Sequence, residues 1–172
     1  MSTTGHDPTA YPADKREAYL AIDRDLAALL DGEHDLVANA ANTAALIYLA
    51  LPLLNWAGFY FAREGGELVL GPFQGKPACV RIAAGKGVCG AAASARRTVR
   101  VMDVHAFPGH IACDAASNSE IVVPLLRPDG SLLGVLDLDS PAKGRFDADD
   151  QSGLERLAAT FVRSLAGAPR PR

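Results

Sequence analysis

Three cysteines, Cys79, Cys89 and Cys113, and three acids, Glu120, Asp137 and Asp139, are the side chains of this 172-residue sequence whose types and spacing could do chemistry. Leu136-Asp137-Leu138-Asp139 sets two carboxylates on one face of a strand, because side chains alternate with a period of two. Glu120 opens the next strand back, in Ser-Glu-Ile-Val-Val-Pro, so a hairpin would bring it to the same end of the sheet. Grouped carboxylates repel one another and hold on to protons unless a cation lies among them. Such a cluster suits an ammonium ligand or a proton donor. A solvated hairpin end is the plain alternative. Trp56 and Tyr60, four apart on one strand face, either belong to the core or wall a pocket beside the acids.

The cysteines divide less clearly. Cys113 sits in Asp103 to Asn118, sixteen residues with two histidines, a Pro-Gly pair and no periodic pattern. Loops that long in compact domains are usually functional, so Cys113 is either a reactive thiol or a small apolar filler. Cys79 follows Gly75-Lys76-Pro77 at an expected strand start, a core position unless an oxidised partner comes near it. Cys89 follows Gly85-Lys86-Gly87-Val88 at an expected helix N-terminus, where amide dipoles can favour a thiolate; its small size is an equally good reason for its presence. A metal would need Cys79, Cys89, His105, His110 or Cys113. Structural zinc sites favour close Cys or His pairs, and the cysteines stand ten and twenty-four residues apart; the expectation is no metal. Neither a phosphate-binding Gly-x₄-Gly-Lys-Ser/Thr run nor a Gly-x-Ser-x-Gly elbow is present.

The elements that would position these groups follow from periodicity. Tyr19, Ile22, Leu26, Leu29 and Leu30 have helical spacing, as do Leu36, Ala40, Ala44, Ile47 and Leu51, which end at Pro52. A third set, Leu154 to Leu165, follows the acidic stretch 147–150, which suits a helix start. Strands are expected at Trp56 to Ala62, Glu67 to Leu70, Cys79 to Ala83, Thr98 to Met102, Glu120 to Leu126 and Leu132 to Leu138. Glu64-Gly65-Gly66 and Pro128-Asp129-Gly130 read as tight turns, and Val88 to Arg96 as a short helix. Hairpins without helical crossovers predict an α+β domain with a mainly antiparallel sheet and helices from both chain ends packed on it. Residues 1–14 read as a disordered leader, 15–165 as the domain and 166–172 as a flexible tail.

Composition narrows the class. With 17 basic and 20 acidic residues the net charge is −3, without the basic excess of a general nucleic-acid binder or of an anionic-membrane binder. No apolar run reaches the roughly 20 residues that span a bilayer. The first thirteen residues hold no signal-peptide core, and an odd cysteine count fits a reducing compartment. The expected location is the cytoplasm.

Five stretches together resemble a known family: NWAGFY from Asn55, GPFQGKPACVRI from Gly71, GKGVCG from Gly85, DVHAFPGHIACDAASNSEIVVPL from Asp103 and GVLDLDSP from Gly134. They are similar to free methionine-(R)-sulfoxide reductases, which are GAF-domain enzymes. The resemblance implies a GAF-like fold and a nucleophile at Cys113. It makes Cys79 the resolving cysteine, and Cys89 auxiliary or dispensable. It gives substrate binding to Trp56, Tyr60, Glu120, Asp137 and Asp139. It also implies free methionine sulfoxide as substrate, a thioredoxin-like reductant, no cofactor, and a homodimer. The alternative from another class is a non-catalytic GAF module that senses a small ligand in the same pocket.

Overall fold

Among the described residues, aspartates open three of the four α-helices. In α1 (Lys15–Leu29) the Asp14 carboxylate accepts from the Glu17 N–H at 2.9 Å, and in α2 (Leu36–Ala50) Asp35 accepts from Ala38 at 2.8 Å. Before α4 (Ala148–Ser164), Asp147 accepts from the N–H groups of Asp149 and Asp150, and the Asp150 carboxylate accepts from the Asp147 N–H. Each arrangement satisfies amides that a helix start leaves without partners. Helix α3 (Gly87–Ala95) is the exception: Lys86 precedes it and supplies no side-chain acceptor. The structure, a computed structural model, describes residues 11–109 and 116–166. Of the expected leader it describes 11–14, where Tyr11 donates to Asp25 at 2.8 Å.

Among the described residues six strands form one sheet: β1 (Trp56–Ala62), β2 (Leu68–Gly75), β3 (Arg81–Ile82), β4 (Val99–Val101), β5 (Ser119–Leu126) and β6 (Leu132–Ser140). Their order is β3-β2-β1-β6-β5-β4 and each neighbouring pair is antiparallel. This is the expected α+β arrangement. Helices α1, α2 and α4 cover one face over Ala57, Phe59, Phe61, Ile121, Val123, Leu125, Leu136 and Leu138, and Phe59 meets Phe161 of α4 at 4.7 Å between ring centres. The opposite face carries Trp56, Tyr60, Val122 and Val135 beneath α3. Because both faces are covered, β1 and β6 are buried along most of their length. The period of two then sorts each strand's side chains between two interiors.

Two expected strands change. Strand β2 runs on through Gly71 and Pro72 to Gly75, past the expected end at Leu70. Gly58 pairs with Phe73 and Tyr60 with Leu70, so Gly71 and Pro72 together face Phe59 in a bulge; a bulge accommodates proline's missing N–H. The strand expected over Cys79 to Ala83 is confined to Arg81–Ile82. Cys79 falls in the irregular segment before it, where Pro77 cannot donate a ladder bond. Both tight turns are present, with Gly65, Gly66 and Gly130 in the left-handed region at φ 77°, 83° and 81°.

The segment Asp103 to Asn118 enters through a 3₁₀ turn at Val104–Ala106. Its two described ends are tied together: Val104 N–H donates to the Asn118 carbonyl at 3.0 Å, and His105 Nε2 lies 3.1 Å from Asn118 Oδ1. Asn118 N–H donates in turn to the Ser140 carbonyl at the end of β6. Residues 110–115, and with them the expected nucleophile Cys113 and His110, lie outside the described residues.

Candidate active site

Strand β6 lies between β1 and β5, and its register assembles the acids. Asp139 is opposite Trp56 on one side and Glu120 on the other; Asp137 is opposite Gly58 and Val122. Glu120 and Asp137 are 6% exposed, and Asp139 is half-buried. These are not the solvated acids of a hairpin end. Both carboxyls of the Glu120–Asp137 pair are held well above the ordinary carboxylate range. Burial is the main cause for each, followed by the charge of Asp139 for Glu120 and of Glu120 for Asp137. Oδ1 of Asp137 is buried with no hydrogen-bond partner among the described residues.

Helix α3 brings Cys89 onto this pair. Its Sγ lies 3.3 Å from Asp137 Oδ2, and the thiol donates to the carboxylate. The favourable dipole at the helix start does not prevail. Burial, then the charges of Asp137, Glu120 and Asp139, push the Cys89 thiol up, so it stays protonated. The thiolate character considered for this position is therefore corrected by its acidic neighbours, which the sequence places 31 and 48 residues away. Among the described residues, Cys89, Glu120 and Asp137 form the one group of three or more possible ligand residues whose donor atoms lie within 4.8 Å of one another. His105, exposed and turned to Asn118, is not part of it.

The aromatic wall is fixed from behind. Trp56 stacks on Phe73 at 5.3 Å and on Tyr60 at 5.9 Å. Its Nε1 donates to the Lys76 carbonyl at 3.1 Å, and the Tyr60 hydroxyl donates to the Cys79 carbonyl at 3.0 Å. Gly58 makes the packing possible. A Cβ there would stand 2.3 Å from Phe73 Cβ and 2.7 Å from Trp56 Cη2. The two aromatic hydrogen bonds hold the segment from Lys76 to Cys79 over the acids, with half-buried Cys79 beside pocket-lining Ala78.

A partly open pocket with a cavity volume of about 40 Å³ is lined by Trp56, Tyr60, Glu120, Asp137, Asp139 and Cys89, together with Lys76, Lys86, Gly87, Val88 and Ser117. All five expected substrate-binding residues thus share one cavity with Cys89. Lys76, Lys86 and Ser117 were not singled out by spacing, since an isolated lysine or serine carries no pattern. At the start of α3 the Gly90 N–H bonds to the Lys86 carbonyl at 2.9 Å, so the amides of Gly87, Val88 and Cys89 precede the first helical bond. Such amides favour a negative group. The sharp entry depends on Gly90, where a Cβ would stand 2.7 Å from the Gly85 backbone. The pocket therefore combines positive character at the helix start, negative character on the sheet and the indole of Trp56 in one lining. That arrangement is complementary to a zwitterion with an apolar side chain.

Residues 24–166 match the GAF domain family. A free methionine-R-sulfoxide reductase of Escherichia coli is 53% identical over 153 residues, covering 89% of this chain and 92% of the relative. Protein YtsP of Bacillus subtilis is 56% identical, covering 89% of this chain and 94% of its own. The X-ray structure of free methionine-R-sulfoxide reductase from Neisseria meningitidis in complex with its substrate superposes with a TM-score of 0.85. Its identity is 44%, covering 90% of this chain and 92% of that one. With this likeness over nearly the full length of each partner, the chain belongs to the free methionine-R-sulfoxide reductase family, oxidoreductases built on a GAF domain.

Proposed function

We propose that this chain reduces free methionine (R)-S-oxide to methionine with its own thiols. The observation that carries the reading is the acid wall of buried Glu120 and Asp137 and half-buried Asp139 sharing one pocket with Trp56. An α-ammonium placed there neutralises a group of carboxyls that burial has raised in energy. Each charge-assisted hydrogen bond to it contributes about 1.5–3 kcal/mol. A methionine within a polypeptide has an amide nitrogen instead, and gains none of this. Trp56 takes the S-methyl group, and the α-carboxylate meets the open amides at the start of α3.

In the reaction, the Cys113 thiolate attacks the sulfoxide sulfur while a carboxyl of the acid group protonates the oxygen, an otherwise poor leaving group. Glu120 and Asp137 suit this role because burial favours their protonated forms. The ammonium favours their ionised form as it binds, which eases that proton's release. Oxygen passes to Cys113 as a sulfenic acid and methionine departs with the electron pair. Cys79 condenses with the sulfenic acid, forming a Cys79–Cys113 disulfide and water. A thioredoxin-like dithiol then restores both thiols by exchange. Sulfur carries both electrons throughout. Ser117 lines the pocket four residues after Cys113, a stretch of chain that spans at most about 14 Å. Cys89, held protonated by its acidic neighbours, is auxiliary. The homodimer implied by the family resemblance belongs to the same proposal.

The test is incubation with racemic free methionine sulfoxide and dithiothreitol, with both epimers followed. Loss of the R epimer alone, with peptide-bound sulfoxide untouched, is the expected result. A sensor module would consume neither epimer, and that outcome would refute the proposal.

A further inference from the structure

We propose that the same pocket is a seat for a thiophilic divalent cation, Zn²⁺ or Cd²⁺, held by Cys89, Glu120 and Asp137, and that the bound cation excludes the amino acid. The donor atoms of these residues lie within 4.8 Å of one another, and all three residues are buried. Zinc bonds of about 2.3 Å to sulfur and about 2.0 Å to oxygen at a tetrahedral angle place the two ligand atoms about 3.5 Å apart. Cys89 Sγ and Asp137 Oδ2 are already 3.3 Å apart. Independently, Asp137 is 6% exposed, lines the pocket and keeps Oδ1 without a hydrogen-bond partner among the described residues. A buried oxygen in that state is a ligand atom open to a cation.

The donor set selects the metal. One sulfur and two carboxylates are too few and too soft for Mg²⁺ or Ca²⁺, which take six or more oxygens. They suit a borderline or soft cation, with the fourth position turned to the pocket. The ligands come from α3, β5 and β6, so three packed elements preset their spacing. Cys89, which the proposed reaction leaves auxiliary, gains a role as the thiol that makes the site thiophilic. Cation and substrate ammonium would contact the same two carboxylates, so they compete. This competition alone rests on the proposed substrate.

The experiment uses the full chain carrying Cys79→Ser and Cys113→Ser, in which Cys89 is the only remaining thiol and no turnover occurs. Equilibrium dialysis with Zn²⁺ should give one equivalent bound, and Co²⁺ should give a cobalt–thiolate charge-transfer band. Adding Asp137→Asn should weaken binding by more than about tenfold, since even outer-sphere partners of a metal are worth that much. Absence of saturable binding in the double variant overturns the proposal, as does one equivalent that survives both Asp137→Asn and Glu120→Gln. Circular dichroism confirms that each variant is folded, and the double variant decides the matter if the others are not. Binding of methionine sulfoxide is read separately from the fluorescence of Trp56, the chain's one tryptophan. Zn²⁺ should abolish that signal; an unchanged substrate titration with the metal bound overturns the exclusion.

Discussion

Replacing Asp137 by asparagine should make the protein more stable and less active, and both effects follow from the same buried atoms. The carboxyl is 6% exposed and its Oδ1 has no partner among the described residues. A buried polar group in that condition costs about 1–3 kcal/mol. Asparagine has the same shape, keeps an acceptor for the Cys89 thiol and carries no charge to desolvate. The gain should therefore be of that order, at about 2–4 °C in Tm per kcal/mol for a chain of this size. Its pH dependence has a fixed sign. The folded carboxyl is raised above its unfolded value, so the wild-type contribution is fully present below the unfolded pKa of about 3.9 and is lost as pH rises through the folded value. The variant escapes that loss. The Tm difference should be near zero at pH 4 and widen toward pH 8. Activity moves the other way: loss of one charge-assisted contact of about 1.5–3 kcal/mol lowers kcat/KM roughly 10- to 150-fold. Calorimetry across the pH range and steady-state kinetics at pH 8 measure the two. A variant that melts below the wild type at pH 8, or that keeps its kcat/KM, would refute the reasoning.

Cys113→Ser should abolish methionine release; turnover near the wild-type rate would remove Cys113 as the nucleophile. Cys79→Ser should release about one equivalent of methionine per chain and then stall with thioredoxin as reductant, because each attack consumes one thiol; normal cycling would move the resolving role to Cys89. Asp139→Asn should lower kcat/KM by at least about tenfold through its contact with the ammonium, and an unchanged value would take it out of the site. Far from the pocket, Asp150→Ala should cost about 3–5 kcal/mol in urea denaturation, since it strands a nearly buried Arg145 that donates to Asp150 at 3.0 Å. With denaturant absent, its KM for methionine sulfoxide should be unchanged.

The sheet face was legible because one rule governs it. Alternation alone puts Asp137 and Asp139 together, and hairpin connectivity adds Glu120, as the Glu120–Asp139 register bears out. The contact between Cys89 and Asp137 was not legible. It depends on how α3 crosses β5 and β6, a packing decision spread over Val88, Ala92, Val122 and Val135 that no local pattern records. The strand expected at Cys79 failed for a related reason. Its apolar residues fit a strand, but Pro77 interrupts the ladder, and hydrogen bonds from Trp56 and Tyr60 fix Lys76 and Cys79 instead. Tertiary partners override propensity there.

The two faces of the sheet divide the work of the fold. On the side of α1, α2 and α4 the fully buried Asp150 is matched by donors from Lys15, Tyr19 and Arg145. On the side of α3, Glu120 and Asp137 are buried with burial itself as the main force on their protons. A large, well-paired core can sustain a small region left higher in energy. On the proposed reading that energy has a use. The group that relieves it is an ammonium, and the substrate that carries one within reach of a sulfoxide is a free amino acid. Selectivity for the free form then arises from charge: carboxyls that burial disfavours as anions gain charge-assisted contacts from an ammonium, and a neutral amide supplies none of them.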